Sequence, residues 1–277
     1  MKKRIALLLA ALLLSTVALA EALPDTSRIA DASEMTDVQD IVPEGMTPVT
    51  ADMLSDGVYP VEVEASSPMF KVTACEITVA GGGLRATLHM KSDAYAYMYP
   101  GTAEAASEAP FEALIPLGDD RTFALPVDSL DSGFVCAAFS ARKQAWYPRT
   151  LLFRADSLPA QAWKRLTTAE SLGLADGDYS CPVTLVGSGK TALLSPAALH
   201  VADGNCTADI VFTTSRIDYV IVDGVKYTPT ATDGGAAFTV PVGAFDVGLA
   251  ITVDSTALTP AVEVPCTMTF DSAGLAQ

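Results

Sequence analysis

Residues 56–65 read DGVYPVEVEA, and residues 176–186 read DGDYSCPVTLV. From each opening the same succession follows. A strand, a Gly turn and a second strand come next: CEITVAGGGLRATLHM at 75–90 and AALHVADGNCTADIVF at 197–212. A tyrosine-bearing strand follows, SDAYAYMYPG at 92–101 and SRIDYVIVDGVKY at 215–227. Then come FALPV at 123–127 and FTVPV at 238–242, and each succession closes on an alternating strand ending in Phe153 or Phe270. Asp56 to Asp176 is 120 residues, Phe123 to Phe238 is 115, and Phe153 to Phe270 is 117. Spacing this constant across separate features predicts a tandem duplication.

Within each copy, short alternating runs are separated by Gly, Pro and Asp turns, the pattern of a β-sandwich of about seven or eight strands. Asp223-Gly224 tolerates the positive φ values of a type I′ turn and predicts a tight hairpin. Gly81-Gly82-Gly83 and Asp203-Gly204-Asn205 predict a matching hairpin in the two copies. TAEAASEA at 102–109 favours a short inserted helix. The expected fold class is therefore all-β: two tandem immunoglobulin-like sandwiches at 54–160 and 176–272, joined by a linker at 161–175.

Ahead of them, Lys2, Lys3 and Arg4 precede an apolar run at 5–18, and Ala18-Leu19-Ala20 offers a signal-peptidase site before Glu21. Fourteen residues, almost wholly apolar, are too few for a confident membrane span. The expectation is a signal peptide at 1–20, an exported mature chain and no membrane span after cleavage. Residues 21–53, acidic and with Pro24, Pro43 and Pro48, read as a flexible leader. Loss of the three basic residues takes the net charge from −16 to −19. So acidic a body is a poor partner for nucleic acid, where phosphates require clustered Lys and Arg.

Five cysteines, Cys75, Cys136, Cys181, Cys206 and Cys266, include no C-x-x-C pair. In an exported protein, Cys75 with Cys136 and Cys181 with Cys266 would bridge within one copy; the alternative is five small buried hydrophobes. Two histidines, His89 and His200, rule against a multi-histidine metal centre, and no serine or cysteine is placed to use either as a base. GSGKT at 187–191 lacks the upstream glycine of a phosphate loop, because Thr184 stands there, and LLSP at 193–196 is no helix. No catalytic and no metal site is expected, and the chain reads as non-enzymatic.

The first copy keeps two segments that the second lacks. SSPMF at 66–70 sets two hydroxyls beside two large apolar groups, and RKQAWYPR at 142–149 is a basic, aromatic hairpin in an acidic protein. Arg with Trp and Tyr combines charge pairing, stacking and contact area. Tyr95, Tyr97 and Tyr99 alternate and are expected to share one face of a strand. The candidate ligand-binding residues are Ser66, Ser67, Met69, Phe70, Tyr95, Tyr99, Arg142, Trp146, Tyr147 and Arg149. A wall of the core is the competing reading for the tyrosines and for Trp146.

In the order of these features each copy resembles the NEAT domain, a haem- or haemoprotein-binding sandwich of Gram-positive bacterial surfaces. The pieces that carry it in the first copy are Asp56-Gly57-x-Tyr59, the 66–70 lip, the paired strands of 77–90, the strand at 92–99, 123–127, and the strand closing on Phe153. The resemblance implies a lip formed by Ser66 or Ser67 with Met69, and places Tyr147 at the second tyrosine of the family's Tyr-x-x-x-Tyr pair. Lys143 stands at the first, the iron-ligand position, and a lysine is charged at neutral pH. It further implies haem, or another small planar ligand, stacked on Tyr147 with Arg142 or Arg149 pairing its carboxylates. The alternative is a structural or adhesive envelope protein whose sandwiches present a surface to extracellular proteins or glycans.

Overall fold

The computed structural model describes residues 24–36, 38–230, 235–257 and 259–277. The expected signal peptide lies outside them. In the N-terminal half the strands are β1 (Gly57–Pro60), β2 (Glu62–Ala65), β3 (Val72–Ala80), β4 (Gly83–Met90), β5 (Tyr95–Tyr99), β6 (Ile115–Pro116), β7 (Thr122–Val127), β8 (Gly133–Ser140) and β9 (Ala145–Arg154). In the C-terminal half they are β10 (Gly177–Cys181), β11 (Val183–Val186), β12 (Ala197–Ala202), β13 (Asn205–Val211), β14 (Ile217–Val222), β15 (Val225–Tyr227), β16 (Ala237–Pro241), β17 (Leu249–Ser255) and β18 (Val262–Phe270). One short helix, α1 (Ala103–Glu108), begins at Thr102, whose hydroxyl accepts from the Ala105 amide at 3.2 Å.

The fold is all-β, with four antiparallel sheets. Their orders are β1-β3-β4-β7 and β2-β9-β8-β5-β6, then β10-β12-β13-β16 and β11-β18-β17-β14-β15. Every strand number in the second pair is that of the first raised by nine. One buried cluster draws on both N-terminal sheets, with Ile77, Leu88, Phe123, Leu151 and Phe153 in it. Another draws on both C-terminal sheets, with Leu199, Ile210, Phe238, Met268 and Phe270.

The repeated Asp-Gly-x-Tyr opening has a mechanical reason. Tyr59 folds back so that its hydroxyl donates to the Ser55 and Asp56 carbonyls at 3.1 and 3.2 Å, and Tyr179 reaches the Ala175 carbonyl at 2.9 Å. A Cβ on Gly57 would lie 2.5 Å from the Tyr59 oxygen, so the ring's path favours glycine there, whereas at Gly177 the nearest Tyr179 atom would be 3.9 Å away. The predicted hairpins are all present: two residues with positive φ link β3 to β4, β12 to β13 and β14 to β15. The 187–191 segment is a turn leading to an isolated bridge between Leu193 and Phe212, not a phosphate loop.

Three expectations change. The described leader residues, 24–36 and 38–53, make fixed contacts with the N-terminal half. The Ala30 amide donates to the Trp146 carbonyl and the Trp146 amide to the Arg28 carbonyl, each at 2.9 Å, and Val49 and Leu130 exchange both backbone bonds. Ala30, Val49 and Ala51 are buried. These small residues are scattered without a period, so no pattern announces them. Second, the five cysteines are free and buried; the disulfide alternative gives way to the hydrophobic one. Burial lifts the Cys75, Cys136 and Cys266 thiols to about 12, which suppresses the thiolate that oxidation needs. Third, a register shift between Tyr95 and Tyr97 breaks the alternation of β5. Tyr95 joins the inner cluster, whereas Tyr97 and Tyr99 pack on the outer face with α1.

The halves are joined by polar contacts that the sequence reading did not find. Arg154 is held by Asp156 at 2.6 Å and Glu64 at 2.7 Å, and it also donates to the Thr267 hydroxyl at 3.0 Å. The Thr267 hydroxyl in turn donates to Asp156 at 2.8 Å. Among the described residues no helix is long and apolar enough to cross a membrane.

Candidate binding site

Strand β9 sorts the hairpin side chains by parity. Trp146 points out and is fully buried beneath leader and α1, its ring 5.1 Å edge-on to Phe139 and its Nε1 donating to the Thr26 carbonyl at 2.7 Å. Tyr147 belongs to the inner cluster. Arg149, at the same parity, pairs in register with Cys136, another inner residue. The strand thus turns a guanidinium toward the core.

Arg149 is 4% exposed. Its Nη2 donates to the Tyr95 hydroxyl at 3.0 Å and its Nη1 to the Pro148 carbonyl at 2.7 Å, while its Nε is buried with no hydrogen-bond partner. The guanidinium carbon lies 5.3 Å from the Tyr147 ring centre and 5.8 Å from that of Tyr95. Among the described residues no carboxylate forms a salt bridge with it, whereas Arg154, five residues on, has two. Arginine keeps its charge at any working pH, and a buried charge without a counter-ion is costly. The aromatic contacts offset part of that cost.

The lip closes one side. Phe70 is buried and its ring centre lies 5.3 Å from that of Tyr95. Both lip hydroxyls are occupied: Ser66 Oγ accepts from the Thr150 amide at 2.9 Å, and Ser67 Oγ meets Thr36 Oγ1 at 3.0 Å. Met69 is 61% exposed and Arg142 lies at the exposed hairpin tip. Tyr99 packs on the outer face, its ring over Gly101, where a Cβ would come within 2.8 Å.

The ten candidates therefore form no single pocket wall. Phe70, Tyr95, Tyr147 and Arg149 converge inside; Ser66 and Ser67 fasten the lip; Trp146 and Tyr99 face out; Met69 and Arg142 stand in solvent. Burial, with the Glu34 carboxylate next, holds the Tyr147 phenol above its usual pKa, which works against tyrosinate ligation of iron. The arrangement instead offers a buried, aromatic-flanked cation. In the C-terminal half, counting back from Phe270 as from Phe153, Glu263, Val264 and Cys266 stand where Trp146, Tyr147 and Arg149 stand.

Leader residues, which the sequence reading assigned to no site, complete the closure. Met35 packs on the inner cluster and Ile29 on the outer one. Glu34 pairs with Arg28, and Arg28 donates to the Lys143 carbonyl at 3.0 Å. Elsewhere, His200 bridges Asp178 at 2.7 Å and Asp209 at 3.1 Å on the strand surface. A cleft of about 690 Å³ between leader residues 39–44 and the 187–189 turn carries Asp40, Glu44 and Glu64, with Arg154 already neutralised in it.

No family model matches this chain, and no curated protein matches it.

Proposed function

We propose that the chain is an exported, non-enzymatic binding protein of two tandem immunoglobulin-like, NEAT-like sandwiches, and that its first module holds a small planar anion at Arg149. The observation that carries this reading is the buried guanidinium between Tyr95 and Tyr147 with an unpartnered Nε and no carboxylate. An anionic group there would supply the missing acceptor, and Tyr147 the stacking face. The twin module, with Cys266 at that position, is the scaffold without the site. Haem is the ligand to test, bound through its propionates and ring rather than through a tyrosinate.

The experiment is a titration of haemin into the whole protein. A Soret band at micromolar concentrations that is lost in Arg149→Met supports the reading. Absence of any spectral change, or a band indifferent to that substitution, contradicts it.

A second reading, a spacer that presents its surfaces to proteins or glycans, draws on the Arg154–Asp156–Thr267 link. A buried polar lock between modules suits a stiff two-module body.

A further inference from the structure

We infer that leader residues 26–36 are a built-in plug, and that a planar anion reaches Arg149 only when this segment leaves. The inference rests on the proposed anion site and concerns its regulation.

Four observations carry it. The leader lies across the route between lip and hairpin: Met35 packs on the inner cluster and Thr36 bonds the lip hydroxyl of Ser67. Second, the leader ties itself to the hairpin: Glu34 pairs with Arg28, and Arg28 donates to the Lys143 carbonyl at 3.0 Å. The Glu34 charge is balanced by Arg28, and with Asp31 the segment 26–36 carries a net charge of −1; among the described residues neither carboxylate forms a salt bridge with Arg149. Third, the attachment is made at the two ends of the segment: two backbone bonds and the Trp146 indole hold Thr26 to Ala30, Arg28 donates to the Lys143 carbonyl and Thr36 meets Ser67, while the 3₁₀ turn Ala32–Glu34 between them buries none of its residues. Fourth, the segment stands outside all four sheets, so its departure breaks no strand pairing within them. Such an element sits at the low end of local stability, where gates are found.

The consequence is quantitative. A ligand that binds only the open form has its apparent affinity reduced by the open fraction, so a plug closed about nine-tenths of the time weakens binding about tenfold. Loosening the plug tightens binding, and binding exposes the plug.

The test uses the full-length protein with haemin as probe, in wild type, Ala30→Asp and the double variant Ala30→Asp/Arg149→Met. Ala30 is buried under the leader's own pairing with β9, so an aspartate there loosens the leader without entering the sheets. The expected result is about tenfold tighter haemin binding by Ala30→Asp than by wild type, and loss of binding in the double variant. In parallel, haemin should accelerate tryptic cleavage after Arg28 in wild type. Equal affinity in wild type and Ala30→Asp, with Arg28 cleavage unaffected by haemin, overturns the plug and leaves the anion site standing. No binding by either protein overturns the anion site and the plug with it.

Discussion

Asp131 and Asp246 hold the same post in the two halves of the chain. Each takes a left-handed backbone, with φ of 53° and 63°. Each amide donates at 2.8 Å to the carbonyl of the closing phenylalanine, Phe153 or Phe270. Each carboxylate accepts an amide just past that strand, from Ala155 or Ser272, also at 2.8 Å. The environments differ: Asp246 is exposed and Asp131 is buried.

That difference makes Asp131 a titrating group. Burial, reinforced by the Asp156 charge, pushes its carboxyl from 3.8 up to about 6, against the pull of the Ala155 amide and Arg154. Between these values the folded chain holds more protons than the unfolded one, so this group's contribution to stability falls as pH rises through the window. Asp131→Asn keeps an acceptor for Ala155 and tolerates the left-handed backbone. We expect it to match wild type near pH 4 and to exceed it by up to about 3 kcal/mol above pH 7. Urea unfolding across that range measures the difference.

His200 gives a slope of the same sign, but from a stabilising contact that is lost rather than from a buried charge that appears. Its bonds to Asp178 and then Asp209 raise its pKa. The clamp's contribution is complete below the unfolded value of about 6.5 and fades as pH rises through the folded one. His200→Gln should lower Tm more at pH 6 than at pH 9, as thermal melts at the two pH values would show. An equal loss at both would remove the charged clamp from the account.

The turns and the inserted helix were legible in the sequence because each is local: Asp223-Gly224 encodes its own hairpin, and Thr102 caps its own helix. The candidate site was half legible. The hairpin at 142–149 announced aromatic and basic groups, but the β5 irregularity that turns Tyr95 inward leaves no mark in SDAYAYMYP. Nor does it reveal that Ile29 and Ala30 lie beside a strand more than a hundred residues away. Arg154, Asp156 and Thr267 each look like ordinary surface residues, and only the approach of the two halves makes them a lock.

That lock should couple the halves. The Asp156 side chain is 2% exposed and bonds both Arg154 and Thr267. Asp156→Ala leaves Arg154 with the Glu64 carboxylate and the Thr267 hydroxyl, and breaking a buried pair in this way costs about 3–5 kcal/mol. Calorimetry should show one transition in wild type and two in the variant. A single transition in both would confine the contacts to a local role.

The thiols provide a check on burial. All five cysteines are free and buried, and none is lowered toward a reactive thiolate. Iodoacetamide should leave the native protein unlabelled at pH 8 and add five carbamidomethyl groups after denaturation without reductant. Fewer than five would mean that a disulfide forms.

The most direct test of the central claim watches Arg149 itself. Its Nε–H resonance, assigned by its loss in Arg149→Lys, can be followed in a nitrogen-proton correlation spectrum while protoporphyrin IX, a diamagnetic planar dicarboxylate, is added to the whole protein. The account predicts a saturable shift of this resonance as the unpartnered donor gains a carboxylate. A resonance unmoved while the porphyrin binds elsewhere, or does not bind, would contradict it.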